Sequence, residues 1–345
     1  MHLRLNDLRE AQATGEAWVL VTIVETRGST PREVGASMLV FAQHTHGTIG
    51  GGELEFQATA TARELLREGE SSSEQHYVLG ARLGQCCGGQ ANLWFESSDA
   101  WQTALPGLDN NKTYVTVTRQ QEATRRFLEV NPSGQFSSPH DLPADVLAAI
   151  EDCADPSCPD SRWFVCDGER YFLQRYAPND FRVWLFGAGH VGQRVAKVLS
   201  TLPCDITWID ERPELLEGVE SPNLSKRITR APALVVDEAP VGTYFVVMTH
   251  SHALDADVCT RVLIRNDFAY AGLIGSRAKR ASFEKRFARA GIAGANVARL
   301  HCPLGGMTRT GGYDKDPGVI AIGLAQELLA AREAYVASPR RTLSE

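Results

Sequence analysis

The chain has 345 residues and a formal net charge of −7, with 43% apolar and 22% charged residues. This length is enough for two domains that each bury a core of their own. The acidic balance and the lack of a long basic tract argue against nucleic acid as the main partner, and no apolar run approaches the length of a membrane span.

The N-terminus and the cysteines indicate the compartment. Asp7, Arg9 and Glu10 stand where a signal peptide would need an apolar segment, so we expect a cytoplasmic protein that is not bound to a membrane. The eight cysteines are unevenly spaced, which is typical of reduced thiols rather than of a disulfide framework.

Residues 1–100 are predicted to form a small α+β domain. A short helix is followed by strands at 17–24 and 37–41, with a polar loop between them. Arg27 and Arg32 in this loop could hold an anion. The alternative is a solvated hairpin end, and the sequence alone does not separate the two.

A triple glycine at residues 50–52 precedes a helix that we predict over residues 53–68. The N-terminus of a helix can attract a phosphate. However, Glu53 and Glu55 lie in the first turn and would repel an anion, so they favour contact with a neutral or cationic part of a ligand.

Two adjacent cysteines, Cys86 and Cys87, are flanked by glycines, and a strand is predicted after them at residues 91–96. The glycines would expose both backbone and sulfur. Thiolates are soft ligands, so the pair is a candidate for contact with a metal centre. The alternative is a buried pair of small apolar residues.

Residues 101–179 are predicted to be a connecting segment with short strands. One strand is expected at 114–118, and a hairpin is expected across Asp167 and Gly168. Cys153, Cys158 and Cys166 fall at irregular spacings without a histidine at ligand distance, so we do not expect a metal site there.

The segment 182–210 carries the strongest pattern in the chain. An apolar run at 183–186 leads into a G-x-G-x-x-G loop, a helical pattern and a second apolar run that ends at Asp210. Gly187 would permit a tight turn, Gly189 the approach of a pyrophosphate, and Gly192 close packing of helix on strand. In this reading Asp210 accepts hydrogen bonds from a ribose, and residues 180–335 form a Rossmann-like domain.

Further predicted strands end in polar residues. Because ligands of an open parallel sheet bind beyond the carboxyl ends of its strands, we expect these residues to share one site. The predicted binding residues of this domain are Gly187, Gly189, His190, Val191, Gly192, Asp210, Thr249, His250, His252, Gly275, Ser276 and Arg277. For the histidines, the alternative is a capping or solvated role. The fold class expected overall is α/β, with a C-terminal doubly wound parallel sheet and a smaller N-terminal α+β domain.

Seven motifs together resemble the XdhC/CoxI family of xanthine dehydrogenase accessory proteins. They occur at residues 26–35, 50–52, 84–89, 187–192, 249–252, 273–277 and 301–303. One region departs from the family pattern: Tyr313 follows Gly312, and the next lysine is Lys315. A role for Lys315 is therefore not assigned.

The resemblance implies a function. Members of this family bind and protect molybdenum cofactor (molybdopterin) and promote replacement of a molybdenum oxo ligand by sulfur. A cysteine desulfurase is the sulfur source, and the product passes to the molybdenum subunit of apo-xanthine dehydrogenase. We therefore expect a maturation factor rather than an enzyme, with Cys86 and Cys87 at the metal and a homodimer as one option for its assembly.

Two other classes remain open from the residues. The glycine loop and Asp210 fit an NAD(P)-dependent oxidoreductase equally well, although no hydride-transfer constellation such as Tyr-x-x-x-Lys is evident. A metal-dependent hydrolase could use His250, His252 and Asp255, but lacks a further strong ligand group.

Overall fold

The computed structural model describes residues 2–79, 88–102, 105–119, 125–131, 133–137, 139, 141–156, 158–305 and 315–337. The chain divides into two units, Met1–Pro178 and Asn179–Glu345. Cys86 and Cys87 lie outside the described residues, so their predicted contact with a metal stays a prediction. Among the described helices, none is both long and apolar enough to cross a membrane.

The first unit is built mainly from antiparallel strands. Its helices and strands are, in chain order, α1 (Leu5–Ala13), β1 (Trp18–Arg27), β2 (Ser37–Phe41), β3 (Thr45–Gly47), α2 (Gly52–Glu68), β4 (Ser72–Val78), β5 (Gln90–Ser97), β6 (Thr113–Arg119), β7 (Arg125–Val130), α3 (Ala144–Ala154), β8 (Ser161–Cys166) and β9 (Glu169–Tyr176).

These strands form separate sheets, in the orders β3-β2-β1-β5-β4 and β7-β6-β9-β8. Helix α2 buries Leu54, Ala58 and Leu65 against the first sheet, and α3 buries residues of its own against the second. The hairpin predicted across Asp167 and Gly168 is confirmed. Both residues have positive φ, 52° and 80°, as a tight two-residue turn between strands requires.

A buried ion pair joins the two sheets of this unit. Arg125 on β7 donates to Glu96 on β5 over 2.5 Å, and each side chain is only 1% exposed. The Arg125 guanidinium also lies over the ring of Trp101, at 4.4 Å from its centroid. Complete burial raises the pKa of Glu96, while the Arg125 charge opposes that shift. Removing one partner would leave an uncompensated charge in the core.

The second unit alternates strands and helices. In chain order they are β10 (Arg182–Phe186), α4 (His190–Leu199), β11 (Asp205–Asp210), β12 (Leu224–Ile228), α5 (Pro232–Val235), β13 (Tyr244–Val247), α6 (His252–Arg265), β14 (Tyr270–Leu273), α7 (Arg277–Arg289), α8 (Gly294–Ala298), β15 (Leu300–His301) and α9 (Pro317–Ala337).

The strands of this unit pair in parallel in the order β12-β11-β10-β13-β14-β15. Alternate residues of β10 serve opposite faces, as strand geometry dictates. Val183 and Leu185 pack in one apolar cluster with α4 and α9, whereas Trp184 and Phe186 pack in another with α6 and α7. The sheet is therefore covered on both faces, and the predicted doubly wound α/β fold is confirmed.

We expect the substitution Arg125→Met to lower the free energy of unfolding by about 3–5 kcal/mol, because Glu96 would remain buried without a partner. The control is Lys112→Met. Lys112 pairs with Glu129 at 2.7 Å on the surface of the same sheet, and an exposed pair contributes little. Chemical denaturation of both variants measures the difference. Equal losses would contradict a structural role for the buried pair.

Candidate functional site

The loop between β10 and α4 contains glycines that contact backbone directly. Gly187 has φ of 113°, and a Cβ there would lie 2.2 Å from the carbonyl oxygen of Met248. A Cβ on Gly192 would lie 2.1 Å from the carbonyl oxygen of Gly187. Neither position can hold a side chain unless the backbone moves. The tight turn and the close packing of helix on strand that the sequence predicts at these positions are both present.

Gly189 differs from the other two glycines of the loop. Its φ of −68° suits any residue, and nothing lies within 4 Å of the position that a Cβ would take. Helix α4 begins at the next residue, His190, so the free N–H groups of its first turn lie beside this open space. The loop can therefore admit a phosphate at Gly189, where the positive end of the helix dipole favours an anion.

Asp210 ends β11 beside this loop and is only 3% exposed. Its Oδ2 accepts from the backbone N–H of Ala188 at 2.7 Å and from Nη2 of Arg212 at 2.9 Å. Its Oδ1 accepts from the backbone N–H of Arg212 at 3.0 Å and from Nε of Arg212 at 2.8 Å. Burial opposes ionisation, yet these bonds outweigh it and lower the pKa of Asp210.

A second carboxylate, Asp255 on α6, is fully buried at the end of β13. It accepts from the backbone N–H of Thr249 at 2.8 Å and from its hydroxyl at 2.7 Å. On its other side, Nζ of Lys279 donates to Asp255 at 2.6 Å and to the carbonyl of Ile274 at 3.0 Å. This network ties the ends of β13 and β14 together. Because it occupies Asp255, the ligand set suggested for a hydrolase loses its carboxylate.

The remaining predicted residues at this edge are exposed or cap helices. Nε2 of His250 faces Oε1 of Glu211 at 3.6 Å, and His252 is the first residue of α6. The Ser276 hydroxyl accepts from the backbone N–H of Lys279 at 3.2 Å at the start of α7. The structure thus places the predicted residues of β10, β11, β13 and β14 at the same carboxyl edge of the sheet, as parallel strands require.

Three charged residues of this edge were missed by the sequence analysis. Arg212 could have been found from the sequence, because it lies two residues after Asp210, the acid that ends a predicted strand. Lys279 belongs to a basic helical segment of the kind usually assigned to the surface, yet its side chain is only 9% exposed. No pattern in the sequence around Glu327 on α9 indicated that it would lie at this edge. It pairs with Nδ1 of His301 at 3.3 Å and accepts from the backbone N–H of Gly305 at 3.1 Å.

In the first unit, the polar loop after β1 meets the double glycine that follows the cysteine pair. The backbone N–H of Gly89 donates to the carbonyl of Ser29 at 3.1 Å. A Cβ on Gly89 would lie 2.5 Å from the carbonyl oxygen of Arg27 and 2.4 Å from that of Ser29, so only glycine fits. Gly89 lies two residues after Cys87 in the chain, so the loop of residues 27–29 contacts the backbone that follows the cysteine pair.

The triple glycine of the first unit is occupied by the protein's own carboxylate. Oε2 of Glu55 accepts from the backbone N–H groups of Ile49 and Gly51, both at 3.0 Å, and from the hydroxyl of Thr48 at 2.6 Å. Glu55 therefore takes the place that an anion would have at this helix N-terminus. Across the part of the chain that is described, no three or more His, Cys, Asp or Glu side chains are grouped to hold a metal ion.

The strand order and the three glycine positions define the second unit as a Rossmann domain, joined to an N-terminal unit of antiparallel sheets. Comparison with protein families gives a consistent answer. Residues 183–328 match the model of the XdhC Rossmann domain, and residues 11–78 match that of the XdhC and CoxI family. The chain belongs to the XdhC and CoxI family, which confirms the resemblance seen in its motifs.

The chain is also similar to individual proteins. The chain is 26% identical over 291 residues to a probable xanthine dehydrogenase subunit of Bacillus subtilis, covering 80% of this chain and 83% of that protein. It is 28% identical over 155 residues to the uncharacterized protein YqeB of Escherichia coli, covering 44% of this chain and 27% of that protein. A solved structure described as a xanthine dehydrogenase from Bacillus halodurans shares the fold, with a TM-score of 0.69 at 19% identity over 99% of this chain and 97% of that one.

The same added methyl group should have different effects at Gly192 and at Gly189. Gly192→Ala should lower the free energy of unfolding by about 3 kcal/mol, at the upper end of the usual cost of overpacking. Gly189→Ala should change it by less than about 0.5 kcal/mol, since the Cβ meets open space. Denaturant titration of both variants tests this, and a large loss in Gly189→Ala would show that its surroundings are closed.

Proposed function

We propose that this chain is a carrier of molybdenum cofactor in the maturation of xanthine dehydrogenase. In this role it holds the cofactor during sulfuration and delivers it to the apo-enzyme. The observation that carries the proposal is the open position at Gly189, where a phosphate-bearing ligand can reach the backbone of a glycine loop at a helix N-terminus. Membership of the XdhC and CoxI family supports it independently.

The residues of the Rossmann domain fit the groups that this cofactor presents. The cofactor is a pterin that carries a phosphate and a dithiolene-bound molybdenum, and when bound it supplies the metal centre whose ligand is exchanged. The loop at Gly187, Gly189 and Gly192 would hold the phosphate. Exposed side chains at the same edge, among them His250 and Arg277, would donate to or accept from the polar rim of the pterin.

The cysteine pair is the proposed source of soft ligands. Thiolates of Cys86 or Cys87 would contact the molybdenum, since soft sulfur ligands suit such a centre. What supports this placement is that Gly89, two residues after Cys87 in the chain, packs against the loop of residues 27–29 with no room for a side chain.

The same geometry gives less support to the enzyme classes. In an NAD-dependent oxidoreductase the strand-end acid accepts from the ribose, whereas the Asp210 carboxylate is occupied by Ala188 and Arg212. A metal-dependent hydrolase would need Asp255, which Thr249 and Lys279 already bind. The proposed partners are the molybdenum subunit of xanthine dehydrogenase and a cysteine desulfurase. The name of the Bacillus subtilis relative, a probable xanthine dehydrogenase subunit, supports the first of them.

The proposal is tested by purifying the protein from a host that makes molybdenum cofactor and measuring bound molybdenum and pterin per chain. The wild-type chain should retain both. Gly189→Ala and the double variant Cys86→Ser with Cys87→Ser should each reduce retention by about tenfold or more at an unchanged melting temperature. Cys158→Ser, at a free and half-buried cysteine of the first unit, is the control and should behave as wild type.

Retention of the cofactor at the wild-type level by the double cysteine variant would remove the thiols from the proposal. A wild-type chain that carries neither pterin nor molybdenum, from a host shown to make both, would overturn the proposal as a whole.

A further inference from the structure

We infer that Arg212 is a phosphoryl-binding residue, so that the ligand on the glycine loop presents an anionic phosphate monoester to the end of β11. A ligand of the NAD type would present a neutral ribose diol there. This inference rests on the proposed role of the loop at Gly189 as a ligand site. It changes the role of Asp210 from that of a ribose acceptor to that of a residue which positions Arg212.

The first step of the argument is the saturation of Asp210. An ionised carboxylate has about four acceptor positions. The Oδ1 atom uses two of them for the backbone N–H and Nε of Arg212, and Oδ2 uses two for the backbone N–H of Ala188 and Nη2 of Arg212. A ribose hydroxyl could donate to Asp210 only if Arg212 moved away. Its lowered pKa keeps Asp210 ionised at neutral pH, so the ion pair persists there.

The second step concerns the donors that Arg212 has left. A guanidinium carries five N–H groups. Within the described chain Arg212 uses Nε and Nη2 on Asp210, and no partner is found for Nη1. The side chain is 32% exposed, so these donors are accessible to a ligand. Charge-assisted and paired N–H groups are the preferred partners of phosphate oxygens.

The third step is proximity to the loop. The Arg212 guanidinium and the backbone N–H of Ala188 both donate to Oδ2 of Asp210. The guanidinium is therefore linked to the glycine loop through a single carboxylate. A ligand whose phosphate occupies the open position at Gly189 can therefore place a second polar group near Arg212. A sugar is the kind of spacer that separates two such groups in nucleotides.

Asp210 has the largest influence on this cation, and the nearby carboxylates of Glu211 and Glu214 also raise the pKa of Arg212. Glu211 faces His250, with 3.6 Å between Oε1 and Nε2. On the other side, Thr229 donates its backbone N–H to the carbonyl of Asp210 at 3.1 Å, and the next residue, Arg230, is exposed. A second guanidinium thus follows directly on the backbone that is hydrogen-bonded to the end of β11.

The phosphate monoester could come from two sources. One is a nucleotide phosphorylated on its ribose, whose other phosphate would occupy the glycine loop. The other is the single phosphate of a pterin cofactor, which the glycine loop and Arg212 would bind together. Both would meet Arg212 through the same chemistry, so the experiment needs one arm for each source.

The nucleotide arm uses calorimetric titration of the full chain with 2′,5′-ADP and with 5′-AMP, which differ only in the 2′-phosphate. The wild-type chain should bind 2′,5′-ADP about tenfold more tightly or better, a difference of about 1.4 kcal/mol. Arg212→Met should abolish this preference, and 5′-AMP should bind it at least as well as it binds wild type because Asp210 is released. A purely structural role for Arg212 would not change the preference between the two nucleotides.

Two further variants distinguish a specific loss of binding from misfolding. Arg212→Lys keeps the charge on Asp210 but lacks the planar fork, so it should fold normally and lose most of the preference. Arg227→Met is the matched control, because Arg227 lies on β12 and is paired with Glu238 at 2.8 Å. It should bind both nucleotides as wild type does.

The pterin arm measures pterin phosphate retained by the wild type and by the Arg212 variants after purification from a cofactor-producing host. Loss of retention in Arg212→Lys and Arg212→Met, without nucleotide binding, would support the inference with the pterin as the source. Equal or tighter binding of 5′-AMP than of 2′,5′-ADP by wild type, or unchanged behaviour of the Arg212 variants in both arms, would overturn it.

These outcomes separate the inference from the proposed function. A wild-type chain that retains cofactor while the Arg212 variants behave identically would support the carrier role and contradict the phosphoryl-binding role of Arg212. A chain without cofactor whose preference for 2′,5′-ADP depends on Arg212 would support the role of Arg212 and contradict the carrier role.

Discussion

The contact between Gly187 and the carbonyl of Met248 is a constraint on which the Rossmann domain depends. It brings the end of β10 against the segment that follows β13, closer than any side chain would allow. The approach of Gly192 to the carbonyl of Gly187 then fixes the start of α4 on the same strand. At this point the order of the strands reverses, and open α/β sheets bind their ligands there. Gly189 lies between these two glycines in the chain, and the position that its Cβ would take is open.

A second feature is the way in which carboxylates near the ligand edge bind partners from the same chain. Asp210 binds Arg212 and the loop, Asp255 binds Thr249 and Lys279, and Glu327 binds His301. Glu55 does the same at the triple glycine of the first unit. Each of these buried or half-buried carboxylates is thereby paired or hydrogen-bonded, as low-dielectric surroundings favour. The first-turn N–H groups beside Gly189 and the exposed part of Arg212 remain accessible to a ligand, and both suit an anion.

The sequence predicted those features that depend on residues close together along the chain. The apolar runs around the glycine loop predicted β10, α4 and β11. The pair Asp167-Gly168 predicted a hairpin turn, because Asp-Gly favours the positive φ angles of such a turn. Strand β12 was missed because its residues are half-buried or exposed at the edge of the sheet and carry no apolar run. The pairs Arg125–Glu96 and Lys279–Asp255 could not be predicted, since their partners lie 29 and 24 residues apart along the chain and meet only through tertiary packing.

The claim that this chain carries molybdenum cofactor for xanthine dehydrogenase is tested most directly by transfer. The purified, cofactor-loaded chain would be mixed with apo-xanthine dehydrogenase, and xanthine oxidation would be measured as a function of the amount of chain added. The account predicts that activity rises in proportion to the added chain, levels off near one cofactor per active site, and is accompanied by loss of pterin from the carrier. Apo-enzyme that stays inactive while the added chain keeps its pterin would contradict it.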